Sequence, residues 1–354
     1  DYKRDVGNGT MAHMTRSRSR INTIYGSVAG NYSFEEARLL LSGDVTLHEN
    51  FVRSEDGAVG YNAHRAELSA VISARWRPIE RIGIAATLRE EMFGKEWSLP
   101  IPMVALEATL SKRGNLMLRG SASRNHRAPS LNDLYFRPGG NPDLRSEQGW
   151  SYDAGLSSEF GRNDIYRLKM SASWFESWID DWILWLPTNK GFFSPRNVKR
   201  VHSYGVEMQG SLSVRLAKDW RLELNGSAAW TPSVNVGEAI SAGDNSIGKQ
   251  LPYIPRFSSS VTGRLSFRSW SLLYKWCHYS ERYTMSSNDI SLTGKLPPYF
   301  MNNIELEKRF SFRWAELSLK GVVNNLFNEE YISVLSHPMP GINFEIFVGI
   351  TPKW

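Results

Sequence analysis

The chain has 354 residues, of which 41% are hydrophobic and 22% charged, with a formal net charge of +6 and a mean hydropathy of −0.38. No run approaches the roughly 18 apolar residues of a spanning helix, which excludes a helical membrane protein. Cys277 stands alone, so there is no intramolecular disulfide or cysteine cluster for a metal, and basic residues dispersed among acids argue against nucleic acid. A membrane β-barrel escapes the hydropathy limit because only alternate residues face lipid, and its interfacial girdles suit an aromatic content of 12% with 13 Trp.

In chain order, residues 1–20 read as the tail of an outer loop, with no cleavable leader ahead of them. A strand follows over 21–34. Short polar turns then recur at 34–37, 77–82, 112–115, 161–164, 217–220, 268–270 and 312–314, alternating with longer segments at 127–145, 188–198, 232–251, 285–297 and 328–341. A membrane barrel carries short turns on its periplasmic side and long loops outside, so the asymmetry predicts orientation as well as fold. Period-two alternation assigns faces. Ala66, Leu68, Ala70, Ile72, Ala74 and Trp76 fall on one side of their strand, with Arg65, Glu67, Ser69, Ser73 and Arg75 on the other. Tyr166, Leu168, Met170, Ala172 and Trp174 repeat the pattern, as do Leu317 and Leu319. Leu68, Leu168, Leu317 and Ile346 are therefore expected to face lipid.

One strand plus two for each of seven hairpins makes about 15. The predicted fold class is all-β: an antiparallel up-and-down transmembrane barrel. Closed single-chain bacterial barrels generally have even counts, so an odd number implies strands supplied from upstream. A β-propeller would match the turn spacing, but each interval holds two long strands where a blade needs four short ones.

The segment 126–156 contains Arg127, Ala128 and Pro129, then Asn141, Pro142, Asp143, Leu144 and Glu147 entering the next strand. Its prolines lack a backbone donor, and Gly139 and Gly140 permit a tight reversal, so it reads as a folded loop. Further on come Gly205 and Glu207 in SYGVEMQ, Pro252, Tyr253 and Pro255 in LPYIPRF, and Asn325, Leu326, Phe327 and Tyr331 in NNLFNEEY. In the last strand, Phe344, Ile346, Val348, Ile350 and Trp354 alternate on one face, the pattern of an outer-membrane assembly signal.

These elements, in this order, resemble the recognition segments of TonB-dependent outer-membrane receptors of the siderophore, haem and cobalamin type. The resemblance implies a bacterial outer-membrane location and TonB-dependent uptake of a scarce, bulky nutrient through a 22-stranded barrel filled by an N-terminal plug. On that reading, residues 1–354 are the C-terminal portion of the barrel, about 15 of the 22 strands. The plug and upstream strands are expected from outside the chain, and the plug is expected to contact the TonB complex of the inner membrane. Expected partners are the bulky metal chelate or corrinoid, lipid and lipopolysaccharide, and no cofactor or resident metal is expected.

Residues for ligand contact are His126, Arg137, Arg145, Trp185, Arg196 and His337, with Lys190, Phe192 and Phe193 nearby. Imidazole binds iron readily, and basic side chains at a mouth focus the field for an anionic chelate. The absence of a His between Arg127 and Leu144 counts against haem. The alternatives are a passive adhesin barrel or a barrel enzyme of protease or phospholipase type. An enzyme would have to draw on Ser130, His126 and Asp143, and no nucleophile elbow surrounds Ser130.

Overall fold

A computed structural model describes residues 2–5, 11–15, 18–55, 60–112, 115–162, 165–188, 192–197, 200–239, 242–337 and 339–353. The chain divides into two compact units, one comprising Asp1–Leu106, Ser121–Ser151 and Trp178–Val201, the other Glu107–Gly120, Tyr152–Ser177 and His202–Trp354. Antiparallel strands dominate, and among the described residues no helix is long and apolar enough to cross a membrane. Fifteen of the described strands have ten or more residues.

In the first unit, β1 (Tyr2–Asp5) and β2 (Met11–Thr15) pair as a hairpin where the sequence suggested a loop tail. Long strands follow: β3 (Ser19–Phe34), β4 (Leu39–Ser54), β5 (Asn62–Ile79) and β6 (Ile82–Phe93), each antiparallel to the next, with a short β7 (Glu96–Trp97) pairing with β6. Their register produces two chemically distinct faces. Tyr32, Leu41, Ala74 and Ala86 stand opposite one another, while on the other face Ser27, Thr46, Ser69 and Glu91 form a polar row. Slipping any strand by one residue would turn its apolar set toward water, so the alternation itself pins the register. Strands β8 (Ile101–Ser111), β9 (Leu116–Arg127), β10 (Glu147–Arg162) and β11 (Tyr166–Asp180) contribute to both units. Between β9 and β10 lies a five-residue helix, α1 (Leu131–Tyr135). The segment 188–198 was expected to be irregular. Its described part instead forms β13 (Phe193–Asn197), which pairs with β12 (Ile183–Pro187) in a separate hairpin.

The second unit continues with β14 (Val201–Ala217), β15 (Trp220–Trp230), β16 (Ser233–Asn235), β17 (Phe257–Phe267), β18 (Trp270–Tyr279), β19 (Arg282–Tyr283), β20 (Lys295–Leu296), β21 (Tyr299–Ser311), β22 (Ala315–Asn324) and β23 (Asn343–Pro352). Leu222, Leu265, Leu272 and Leu306 form an apolar row, and Glu223 and Arg264 belong to the opposite face. At the short-turn end Trp220 stacks on Phe267, ring centroids 4.5 Å apart, and Phe267 pairs with Trp270. At the other end Trp230 pairs with Phe257. Ten residues of β15 separate the two aromatic levels, about 33 Å of strand. A tilt of 35–45° lowers this to about 25 Å, the height of a barrel's apolar band.

Leu68 lies opposite Leu47 and Met92, Leu317 opposite Phe310 and Ile350, and Ile346 is among the most exposed apolar residues. Leu168 shares its face with the exposed Met170 and Trp174, but it is only two residues from the short-turn end of β11. Val261, opposite Gly226 and Trp276, stands midway between the aromatic levels. We therefore expect Val261→Arg to cost about 2 to 4 kcal/mol and Leu168→Arg less, because the penalty for a charge falls toward the interface. Folding into lipid vesicles, followed by gel heat-modifiability, reads the difference. A larger loss for Leu168→Arg would place the midplane elsewhere.

Candidate functional site

Among the positions singled out for the loop after β9, the buried ones serve as anchors. Ser130 caps α1: its hydroxyl accepts from Asp133 N at 3.1 Å, while the Asp133 carboxylate accepts from Ser130 N at 2.9 Å and Ser130 Oγ at 2.7 Å. Asp133 is only 6% exposed, and its other oxygen accepts from Trp185 Nε1 at 2.9 Å, tying the helix to the β12–β13 hairpin. Glu147, also buried, accepts from Arg127 Nη1 at 2.6 Å and from the Ile183 backbone at 2.8 Å. Asn141 closes the loop by donating to Pro195 O at 3.2 Å and accepting from Asp143 N at 3.1 Å. Gly139 and Gly140 are both crowded by backbone, from Phe193 and Phe136 respectively, so neither position has room for a side chain. Pro129 and Leu144 are buried, Ala128 is half-buried and Pro142 is exposed.

The wall beneath continues this network. Arg65 donates to Pro129 O at 2.6 Å and to Glu67 at 2.8 Å, with its guanidinium 5.4 Å from the Phe93 ring. Tyr61 donates to Asn132 at 2.8 Å; burial, reinforced by Asp133, pushes its phenol above the ordinary tyrosine value. His126 lies in β9, not in the loop, with Nδ1 at 3.4 Å from Glu91 and its ring 5.6 Å from Phe93. Arg145 meets Asp181 at 2.5 Å, and Asn197 bridges Arg145 and Asp181 through their carbonyls. Trp185 packs edge-on against Phe136. Three positions suggested for ligand contact thus have internal partners: His126, Arg145 and Trp185. Arg137, Arg196, Tyr135 and Phe193 are exposed on the same loop cluster, and Arg127 keeps 55% of its side chain in water. Lys190 lies outside the described residues. Arg65, Tyr61 and Asp181 had no signal in the sequence, because each acts from a distant segment. Asp133 had a signature in the Ser-x-x-Asp capping pattern.

In the second unit, Gly205 is buried where a Cβ would collide with the Trp230 carbonyl oxygen. Glu207 sits opposite Ala229. Tyr253 adopts φ +61° between Pro252 and Pro255 and donates its N–H to Tyr283 O at 2.7 Å, while Pro255 O accepts from Thr231 at 3.4 Å. Asn325, also left-handed and buried, donates to Glu329 O at 2.9 Å and accepts from Glu329 N at 2.7 Å, shaping the segment after β22. Leu326 N donates to Asn302 O, Phe327 is exposed, and Tyr331 packs 4.9 Å from Tyr299. His337 is exposed, its Nδ1 at 3.1 Å from Leu335 O.

Arg282 was not foreseen. It is buried over the Tyr299 ring and donates to Pro297 O at 3.2 Å and Ile332 O at 3.0 Å, fastening the segment after β22 to the β19–β20 hairpin. Burial lowers its pKa from the ordinary arginine value, against the opposing pull of Tyr299 and Tyr279. In β23, Phe344, Ile346, Val348 and Ile350 are exposed on one face, and Trp354 lies outside the described residues.

A sequence family described as TonB dependent receptor-like, beta-barrel, matches residues 4–326. The chain belongs to this family. Members are non-catalytic transporters of the bacterial outer membrane, and the chain is an outer-membrane β-protein related to iron, siderophore, copper and cobalamin transporters. Of the three residues considered for catalysis, Ser130 is bonded to Asp133 and His126 lies against Glu91, while Asp143 joins the Asn141 turn through its backbone N–H. This receptor chain is 26% identical over 228 residues to the vitamin B12 transporter BtuB of Photobacterium profundum, covering 62% of this chain and 32% of that protein. The BtuB of Vibrio vulnificus is 28% identical over 107 residues, 28% of this chain and 17% of that one. Among solved structures, the copper transporter OprC superposes with a TM-score of 0.76 at 17% identity, covering 96% of this chain and 57% of its own. The siderophore receptor PirA from Pseudomonas aeruginosa superposes with a TM-score of 0.65 at 16% identity, covering 96% and 58%. The chain therefore spans at most about a third of these curated relatives and somewhat over half of the solved ones.

Proposed function

We propose that this chain forms barrel wall and capture loops of a receptor for TonB-dependent uptake of a scarce, bulky nutrient, with the plug and further strands supplied by sequence outside residues 1–354. The observation that carries the reading is the family match over 4–326, and the two-faced strands agree with it. In this reading the long loops are extracellular. Arg137, Arg196, Tyr135 and Phe193 meet the ligand, while Asp133, Glu147 and Asn141 hold their loops in place. His337 and Phe327 are further contact positions on the segment after β22. Exposed guanidinium groups and aromatic rings suit an anionic or π-rich ligand. A corrinoid is favoured over a ferric siderophore or haem because the two sequence relatives are vitamin B12 transporters.

The test is saturable binding of cyanocobalamin, a ferric siderophore and haem to the full-length receptor, followed by uptake in cells with and without TonB. Saturable corrinoid binding and uptake that disappears without TonB are expected. Binding of none of the three, or uptake indifferent to TonB, would overturn the proposal.

Orientation has its own readout. Gly140 is too crowded to carry a cysteine, but Gly243 has open space at its Cβ and Lys218 is exposed at a short turn. In intact cells an impermeant thiol reagent is expected to label Gly243→Cys and spare Lys218→Cys. The reverse pattern would invert the topology.

A further inference from the structure

The segment between β22 and β23 is a closed loop on a fixed neck. Asn325 Nδ2 donates to Glu329 O at 2.9 Å and to Pro340 O at 3.4 Å, and Ile342 N donates to Asn328 Oδ1 at 2.9 Å, so the two ends are tied to each other. Both asparagines hold a left-handed backbone, φ +51° and +52°. Residues 329–341 therefore have the length and the closed base of an Ω-loop. Inside it the bonds are local: His337 N donates to Val334 O at 3.1 Å, and Ser333 Oγ donates to Met339 Sδ at 3.0 Å. Among the described residues, its body is fastened to neighbouring elements by the bond from Arg282 Nη2 to Ile332 O at 3.0 Å and by the packing of Tyr331 on Tyr299.

The first fastener is a buried cation without a counter-ion. Arg282 is 5% exposed, yet the Tyr299 ring and the carbonyls of Pro297 and Ile332 meet its guanidinium, and the adjacent carboxylate, Glu281, is taken by Lys295. Its Nε is buried with no acceptor among the described residues. A buried charge is costly unless an opposite charge or a full set of hydrogen bonds compensates it, so this guanidinium favours an oxyanion over the neutral carbonyl it holds. Lifting the loop withdraws Ile332 O and the Tyr331 ring and uncovers it. We propose that the loop over residues 329–341 is a cover latched by Arg282, and that a carboxylate or phosphate group releases the cover by taking the guanidinium from Ile332 O. The latch stands on these contacts alone. That its trigger in the cell is an anionic group of the captured nutrient rests on the reading above, in which the long loops form the capture surface.

The experiment uses the full-length receptor in a Cys277→Ser background. Pulsed electron paramagnetic resonance measures the distance between spin labels at Val334→Cys, exposed in the loop, and Arg313→Cys, exposed in the short turn between β21 and β22. Inorganic phosphate is the probe, with sodium chloride at equal ionic strength as its control. Phosphate is expected to raise a second, displaced population at least tenfold, and chloride to leave it unchanged. Arg282→Gln should show that population without phosphate and no further response, whereas Tyr331→Ala should raise the baseline and keep the response, since the guanidinium remains. A distribution that phosphate leaves unaltered overturns the release, and one alike in wild type and Arg282→Gln overturns the latch. If Arg282→Gln is no longer heat-modifiable, the phosphate arms on wild type and Tyr331→Ala decide. Displacement by phosphate but not by saturating cyanocobalamin identifies a free anion as the source and still supports the latch. Failure of cyanocobalamin to bind at all tells against the corrinoid reading and leaves the phosphate result to judge the latch.

Discussion

Gly205→Val is expected to abolish assembly, whereas Gly210→Ala, five residues along the same strand, is expected to be nearly silent. A Cβ on Gly205 would lie inside contact distance of the Trp230 carbonyl oxygen and press on the Phe175 ring, while a Cβ on Gly210 meets nothing within 4 Å. The obstacle at Gly205 is backbone held in the β14–β15 ladder, so no rotamer change relieves it. Relief would require β14 and β15 to separate, breaking the ladder that pairs Val206 with Trp230. Overpacking in a site able to relax costs about 1 to 3 kcal/mol, and this site cannot relax, so the loss should lie at or above that range. The measurement is the heat-modifiable fraction in outer membranes. A Gly205→Val protein that assembles as well as Gly210→Ala would show that the strands do not approach each other so closely.

That contrast also shows what the chain's pattern reveals and what it hides. The Gly-Val-Glu element could be matched to a family, but nothing in the sequence distinguishes the obligatory Gly205 from the permissive Gly210. The difference lies in Trp230, 25 positions away. The turns at 34–37, 77–82, 217–220, 268–270 and 312–314 were legible because polar residues interrupt a period-two pattern that itself assigns the faces. Helix α1 was hidden because five residues are too short for a helical period. The hairpin of β12 and β13 was hidden by Pro195, which disfavours a strand but is tolerated in a two-stranded ribbon where it pairs with Trp185. Arg282 was hidden for a third reason: its partners are carbonyl oxygens and a tyrosine ring, which carry no charge pattern to read.

Asp133→Ala is expected to release the β12–β13 hairpin from the loop while the wall stays assembled. The carboxylate serves two structures at once. One oxygen completes the capping box of α1 and the other accepts from Trp185, so its loss removes the N3 half of the box, leaving the Ser130 hydroxyl on the backbone N–H of residue 133, and leaves an indole N–H in a half-buried position unpaired. Losing half of the box costs no more than losing a whole N-cap, about 0.5 to 2 kcal/mol, and the orphaned donor adds about 1 to 3 kcal/mol. The sum is on the order of 2 to 4 kcal/mol, or tens- to hundreds-fold faster amide exchange if the hairpin opens as a unit. Arg127, 4.0 Å from Asp133 and mostly in water, adds little. Asp133→Asn separates the two roles, since its amide oxygen can still accept from Trp185 while its NH₂ cannot accept from Ser130 N. Hydrogen exchange over 183–187 and 193–197 should therefore be fast in the alanine variant and intermediate in the asparagine variant, with β3–β6 unchanged in both. If ligand capture depends on a fixed loop, affinity falls in the same order. Unaltered exchange in Asp133→Ala would mean that the Asn141–Pro195 and Arg145–Asn197 bonds hold the hairpin without the buried carboxylate.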